Sequence, residues 1–256
     1  MAMLPWKYGW LGGNSSLGLA GYNYGYPAFG ASQPNVKCQF LMDEASGSIV
    51  DEVSAITVAN TAGVPTYSVT ASGLFSGISP GITTASNIRF AKLAASATLN
   101  VGASDHMVVE WWDKSSANTA NMYTWSYNRV DTATYGILCY HPTSTSMVVD
   151  ISFDGGVLAI TKTYTISNWY DGNPHKFRLV VDRTPVTGVM TLYLDGVSQG
   201  TITTTTGATG TLTNSGLTIS TQFNGGTLSL EGTKFEWRMS IGTDVLNNNS
   251  GGPNGG

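Results

Sequence analysis

A chain of 256 residues in which Asp, Glu, Lys and Arg make up only 11% is far less charged than the roughly one quarter usual in globular proteins. Its net charge of −4 leaves no surplus of Lys and Arg with which to hold nucleic acid or an anionic membrane, so neither is expected as a partner. Cys38 and Cys139 fit neither a disulfide framework nor a CxxC metal or redox pair, and read as two buried thiols.

The N-terminal stretch MAMLPWKYGWLGGNSS lacks the basic start, apolar core and small-residue cleavage site of a signal peptide, and no window approaches the ~18 consecutive apolar residues of a membrane span. Residues 1–35 carry Trp6, Tyr8, Trp10, Tyr22, Tyr24, Tyr26 and Phe29 among Gly, Asn, Ser and Pro, with neither helical nor alternating spacing. They hold too few aliphatic residues for a core and too many aromatics for a solvated linker. The expectation is an extended docking arm, its aromatics anchored on another protein, on a symmetry mate or along its own domain. Residues 36–246 form one body, and NNNSGGPNGG at 247–256 is a flexible tail by composition.

Along the body, strands are expected at 36–42, 88–93 and 97–101, and then over HMVVEWWDK, where Met107, Val109 and Trp111 alternate with Val108, Glu110 and Trp112. Further strands fall at 122–129, 135–141 and 147–153. Phe177, Leu179 and Val181 alternate with Lys176, Arg178 and Val180, TPVTG turns the chain, and Met190, Leu192 and Leu194 return. Asp195-Gly196 is the signature of a tight hairpin turn into a strand at 198–202. A strand at 217–222 precedes the last, where Phe235, Trp237, Met239 and Ile241 share one face and Lys234, Glu236, Arg238 and Ser240 the other. So many short strands, with no amphipathic helix, imply an all-β fold of two packed antiparallel sheets. Trp111, Phe177, Leu179, Leu192, Phe235 and Trp237 are expected between them.

The order of these segments resembles the laminin-G-like, concanavalin-A-like jelly rolls. CQFLMDEASGSIVDEVS is similar to their first strand and loop, HMVVEWWDK to the central strand, PHKFRLVVD with GVMTLYLDGV to the hairpin, and LEGTKFEWRMS to the closing strand, with Gly232, Glu236 and Arg238 in matching places. The resemblance implies a jelly-roll sandwich over residues 36–246, in a family that hosts glucan hydrolases, lectins, adhesion modules and virion proteins.

Relatives that hydrolyse β-glucans carry Glu-x-Asp-x-x-Glu on one strand, whereas this chain offers only Glu110 and Asp113. Three residues apart on a regular strand, these carboxylates face opposite ways and cannot bracket one bond, so they read as solvated charges and no enzymatic activity is expected. His106, His141 and His175 stand at separate strand ends without metal-ligand spacing, and the resemblance implies a structural His175, since a His is frequent at that place in the family's hairpin strand. No cofactor is expected. The resemblance offers Asp43 and Asp51 for a structural calcium, but the family's Asp before the closing Glu is Phe235 here, and each reads equally as an Asx turn. For carbohydrate the expected platform is Trp112, in antiphase to buried Trp111, with Trp125, Tyr127, Asn128 and Arg129 of the WSYNR segment; the other reading is that these aromatics cover a second layer of the sandwich.

The leading expectation is a non-enzymatic virion component of a bacteriophage, made in the host cytoplasm and docked by its arm in a symmetric assembly on the virion surface. A host-surface glycan is a further expected partner. The alternative is a glycan-binding lectin module, and a glycoside hydrolase comes third.

Overall fold

In a computed structural model the described residues are 35–40, 51, 53, 66–68, 81–84, 90–115, 122–128, 136–151, 160–167, 169–183, 188–203, 211–219 and 232–246. Residues 1–34, which hold all seven arm aromatics, lie outside them, as do Asp43, Arg129, the tail and the side chain of Phe235.

The described strands are β1 (Val36–Phe40), β2 (Thr66–Ser68), β3 (Gly81–Thr84), β4 (Phe90–Leu93), β5 (His106–Lys114), β6 (Met122–Tyr127), β7 (Ile137–Thr143), β8 (Ser146–Ile151), β9 (Ile160–Thr165), β10 (Pro174–Asp182), β11 (Val189–Leu194), β12 (Val197–Thr203), β13 (Leu217–Ile219) and β14 (Gly232–Gly242). They make an all-β sandwich of two antiparallel sheets. The larger, eight-stranded sheet runs β12-β11-β10-β5-β14-β3-β2, with β1 also on β14; the six-stranded sheet runs β4-β13-β6-β7-β8-β9. At 11 residues β14 is long enough to hold two partners on its far side, β3 along Gly232–Lys234 and β1 along Trp237–Ser240.

The core follows from the alternation. Met107, Val109 and Trp111 of β5, Phe177, Leu179 and Val181 of β10, Met190, Leu192 and Leu194 of β11 and Trp237, Met239 and Ile241 of β14 are buried against Trp125, Tyr127, Ile137, Cys139, Met147 and Val149 of the smaller sheet. Trp111 stacks on Phe177 with centroids 5.3 Å apart, and Trp125 meets Trp111 and Trp237 edge-on at 5.6 and 6.1 Å. Offset and edge-on pairs of this kind bring the negative face of one ring to the positive edge of another. Truncating one of these Trp side chains to Ala is worth about 3–5 kcal/mol. Both thiols are buried as expected, Cys139 Sγ donating to Met147 Sδ at 3.4 Å.

The Asp195-Gly196 turn has φ of 49° and 80°, the doubly left-handed geometry that matches the twist of the flanking strands. Where a strand was expected at 97–101, a 3-10 turn forms at Ala97–Leu99. Leu99 N donates to Ser96 O at 3.1 Å and Asn100 N to Ala97 O at 3.2 Å, while Val101 alone bridges to Leu212. Small and hydroxyl-bearing residues over ASATLN favour such local bonds over a sheet ladder. Strands β2, β3 and β9 were not expected. In β9 and just beyond it Tyr164 and Ile166 are buried between exposed Thr163, Thr165 and Ser167, and Lys162, in phase with them, interrupts the apolar signal. Pro142 sits inside β7 at a register shift, the position a strand allows a residue without N–H.

Candidate functional site

The centre of the larger sheet is buried on both faces. Its outward side carries Val108, Glu110 and Trp112 of β5, Lys176 and Arg178 of β10, Glu236, Arg238 and Ser240 of β14 and Gln39 of β1, brought level by the register. Glu110 is the Cα partner of Arg178 on one side and Arg238 on the other, and Trp112 is the partner of Lys176.

Glu110 is only 1% exposed and gathers three cations. Arg238 Nε donates to its Oε2 at 2.7 Å and Arg238 Nη2 donates to the same oxygen; Lys176 Nζ stands 3.4 Å and Arg178 Nε 3.9 Å from Oε1. Burial alone would raise the Glu110 carboxyl, but Arg238, Lys176 and Arg178 outweigh it and hold it below its ordinary 4.5. Glu236, on the same face, takes the opposite state. Burial pushes it up to about 8, against Arg238 and the Gln39 Nε2 donor at 2.5 Å from its Oε1, with the Glu110 charge adding to the rise. At neutral pH Glu110 is therefore an anion and Glu236 a neutral acid.

Two carboxyls driven apart in this way are the raw material of acid–base chemistry. Here both oxygens of the ionised partner already face cations, and neither carboxyl is more than 2% exposed, so the pair works as an internal electrostatic brace.

The pair considered from sequence behaves as its spacing predicts in one respect. β5 pairs with β10 without a register shift from Met107 to Lys114, so Glu110 and Asp113 do face opposite ways. Neither is solvated, however: Asp113 is fully buried and Glu110 nearly so, because β5 is the central strand, with neighbours on both sides. The bulge lies instead in β14, where Lys234 and Trp237 pair with Asp113 and Trp111 and the extra residue breaks the expected alternation.

The aromatic platform expected for a sugar is not presented to solvent. Trp112 does point away from Trp111, but it is 1% exposed, with Lys176 as its cross-strand partner. Trp125 is in the core. Tyr127 turns inward as well, its hydroxyl donating to Leu99 O at 2.5 Å. Asn128, at φ 63°, ends β6 and ties it to the 213–216 loop: its Oδ1 accepts from Asn214 Nδ2 at 3.0 Å and Ser215 N at 2.9 Å, and its Nδ2 donates to Thr213 O at 2.9 Å. The polar and aromatic mixture of WSYNR thus encodes a strand end. Arg129 lies outside the described residues.

His175 is structural, in a way that spacing did not show. Its Nδ1 lies 2.6 Å from Asp195 Oδ2 and its Nε2 3.0 Å from Asp171 Oδ1, fastening the loop before β10 to the β11–β12 turn. Burial opposes the charge, but the two carboxylates prevail and raise its pKa above 6.5. His141 stacks on Trp169 at 3.8 Å in the core. Asp51 Oδ1 accepts from Gln39 N at 2.8 Å and from Val53 N at 3.0 Å, the second bond being an Asx turn. Among the described residues no group of three or more His, Cys, Asp or Glu is placed to hold a metal ion.

No family model matches the chain, and no curated protein matches it in sequence. Its fold is similar to domain 4 of AbnA, an extracellular arabinanase of Geobacillus stearothermophilus solved in complex with arabinotriose, at 14% identity over 82% of this chain and 98% of that one, with a TM-score of 0.55. It is similar also to the binding domain of Paraclostridial Mosquitocidal Protein 1, at 12% identity over 82% of this chain and 49% of that one, with a TM-score of 0.54. The CBM40 of the Ruminococcus gnavus IT-sialidase matches at 13% identity over 67% of this chain and 94% of that one, with a TM-score of 0.50. The chain is thus a jelly-roll-like two-sheet β-sandwich in fold. The expectation of a bacteriophage virion component finds no support in these likenesses.

Proposed function

We propose that the protein is a non-catalytic carbohydrate-binding module. The observation that carries this reading is the likeness to 98% of an arabinanase domain solved with arabinotriose, which covers 82% of this chain. The geometry supports the non-catalytic part: Glu110 and Asp113 lie on opposite faces, and Glu110 is shut in by its cations. This is the lectin alternative of the sequence reading, in preference to the virion role.

The test is the full chain on a glycan array that includes arabino-oligosaccharides, beside a reducing-sugar assay on the same polymers. Saturable binding without release of reducing ends is the expected result. Hydrolysis that disappears in Glu110→Gln would overturn the reading. The aromatic arm supports a separate proposal, that residues 1–35 attach the module to a larger assembly, since Trp and Tyr dominate docking energy. Deleting residues 1–30 should then leave the melting temperature and glycan binding unchanged while abolishing that attachment.

A further inference from the structure

At the end of β5 where His106 pairs with Gly242, the sandwich has an open depression of about 420 Å³ between the start of β1, the Ala97–Leu99 turn, the turn before β5 and the end of β14. Glu110 is four residues away along β5, roughly 13 Å at the rise of a strand, so the depression is distinct from the buried ionic cluster. Asn35, Lys37, Thr98, Asn100, Asp105 and Thr243 line it.

Among the described residues, three of these side chains bond through one polar atom and keep another. Asn35 Nδ2 donates to Asp244 Oδ1 and its carbonyl accepts from Ile241 N at 3.1 Å, which leaves Asn35 Oδ1. A side chain at Gly242 would bring a Cβ within 2.9 Å of that Nδ2, so glycine keeps the bond possible. Asn100 Oδ1 accepts from Asn214 N at 2.7 Å, which leaves its NH₂ group. Asp105 Oδ2 accepts from Gly102 N at 2.8 Å, which leaves Oδ1, and buried Arg183 braces the turn by donating Nη1 to Gly102 O at 2.8 Å. The Lys37 ammonium has no partner among the described residues.

The remaining groups are two donors (Lys37 and the Asn100 amide), two acceptors (Asn35 Oδ1 and Asp105 Oδ1) and the Thr243 hydroxyl, beside a Thr98 hydroxyl that already shares a bond with Ser96 Oγ at 2.7 Å. This set is complementary to neighbouring sugar hydroxyls, each of which donates once and accepts. Among the described lining residues one ammonium and one carboxylate cancel, which favours no ionic ligand, and none is aromatic. Its volume is at the small end of the roughly 300–1,000 Å³ of small-molecule sites, which suits one sugar unit with the rest of the chain in solvent. Resting on the carbohydrate-binding reading above, we infer that this depression binds the terminal unit of a neutral glycan.

The experiment is amide-shift mapping on the isotope-labelled full chain, titrated with methyl glycosides of arabinose, galactose and mannose, together with array binding by Lys37→Met and Thr243→Val. Shifts should cluster at Lys37, Thr98, Asn100 and Thr243 for one glycoside, and each variant should lose at least tenfold in array affinity with an unchanged melting temperature. Array binding by the wild type with shifts elsewhere, or with undiminished affinity in both variants, would overturn the depression and leave the module reading standing. Absence of binding to every glycan would overturn both. The shift map needs no variant, so a folding defect in one does not decide the outcome.

Discussion

Arg238 gives both Nε and Nη2 to a single oxygen of Glu110, its direct cross-strand partner, at a point where both residues are only 1% exposed. A buried pair of this kind contributes less than its geometry implies, because desolvating two ions offsets most of their attraction. Removing one member is another matter, since the survivor is left charged and closed in. Arg238→Met is therefore expected to cost about 3–5 kcal/mol in urea unfolding. The Glu110→Gln/Arg238→Met double variant should recover only part of that loss, because Lys176 and Arg178 then lose the anion they share. A single-variant loss below about 1 kcal/mol would mean that the network relaxes to solvent.

Glu236 imposes a pH dependence of its own. Its folded pKa, about 8, lies above its ordinary 4.5, so the folded state binds the proton more tightly and the contribution is fully present below pH 4.5. As pH rises from 4.5 to 8 the unfolded chain releases this proton first, and stability falls by up to about 1.4 kcal/mol per pH unit from this group. Glu236→Gln, which keeps an acceptor for Gln39, should flatten that slope and raise stability at pH 8 by about 1–3 kcal/mol. Urea midpoints at pH 5 and pH 8 for both proteins decide it, and parallel losses would refute the neutral acid.

His175 acts in the same direction over a higher window. Two carboxylate acceptors on its two ring nitrogens require the imidazolium, which donates at both, and the pKa is raised above 6.5. The stabilisation is complete below pH 6.5 and is lost as pH rises through the folded value. Asp171 works from the other side. Although burial opposes it, the Asn173 bonds and His175 bring its carboxyl down to about 2, so its share is present above 3.8 and lost as acid approaches 2. His175→Gln should lower the melting temperature more at pH 6 than at pH 9.5. An equal loss at both would show that the ring contributes by packing alone.

What could be read from sequence follows the physics of each signal. Face assignment was legible wherever alternation was strong, as in Trp111, Phe177, Leu179, Leu192 and Trp237, all buried between the sheets. Exposure was not legible, because alternation tells which face a residue takes and nothing of what lies beyond that face. Trp112 and Glu110 were placed on the correct side and given the wrong surroundings. The Glu110 cluster was equally hidden, since its members come from strands far apart in sequence and meet only through register. The lining of the depression gave no pattern at all, because its members come from four separate segments and Asn and Thr recur throughout the chain.

Gly136 offers a sharp check on how β6 and β7 are joined. Its φ of 155° is a backbone state that side chains rarely adopt, and a Cβ there would stand 1.9 Å from Tyr127 O and 2.7 Å from Asn128 Cβ. Those obstacles are not the ends of flexible side chains. Tyr127 is held by its hydroxyl to Leu99 O, and Asn128 by its bonds to Thr213, Asn214 and Ser215, so relief would have to move the end of β6 and the 213–216 loop together. Gly136→Ala is therefore expected to destabilise by about 2–4 kcal/mol, at the upper end of the range for single substitutions. Asn128→Ala should lose about 1–3 kcal/mol by leaving buried amide groups of the 213–216 loop unsatisfied. Because the two act through one junction, the double variant should cost less than the sum of the two. Strict additivity in urea unfolding would show that Gly136 strains the chain on its own, independently of the Asn128 knot.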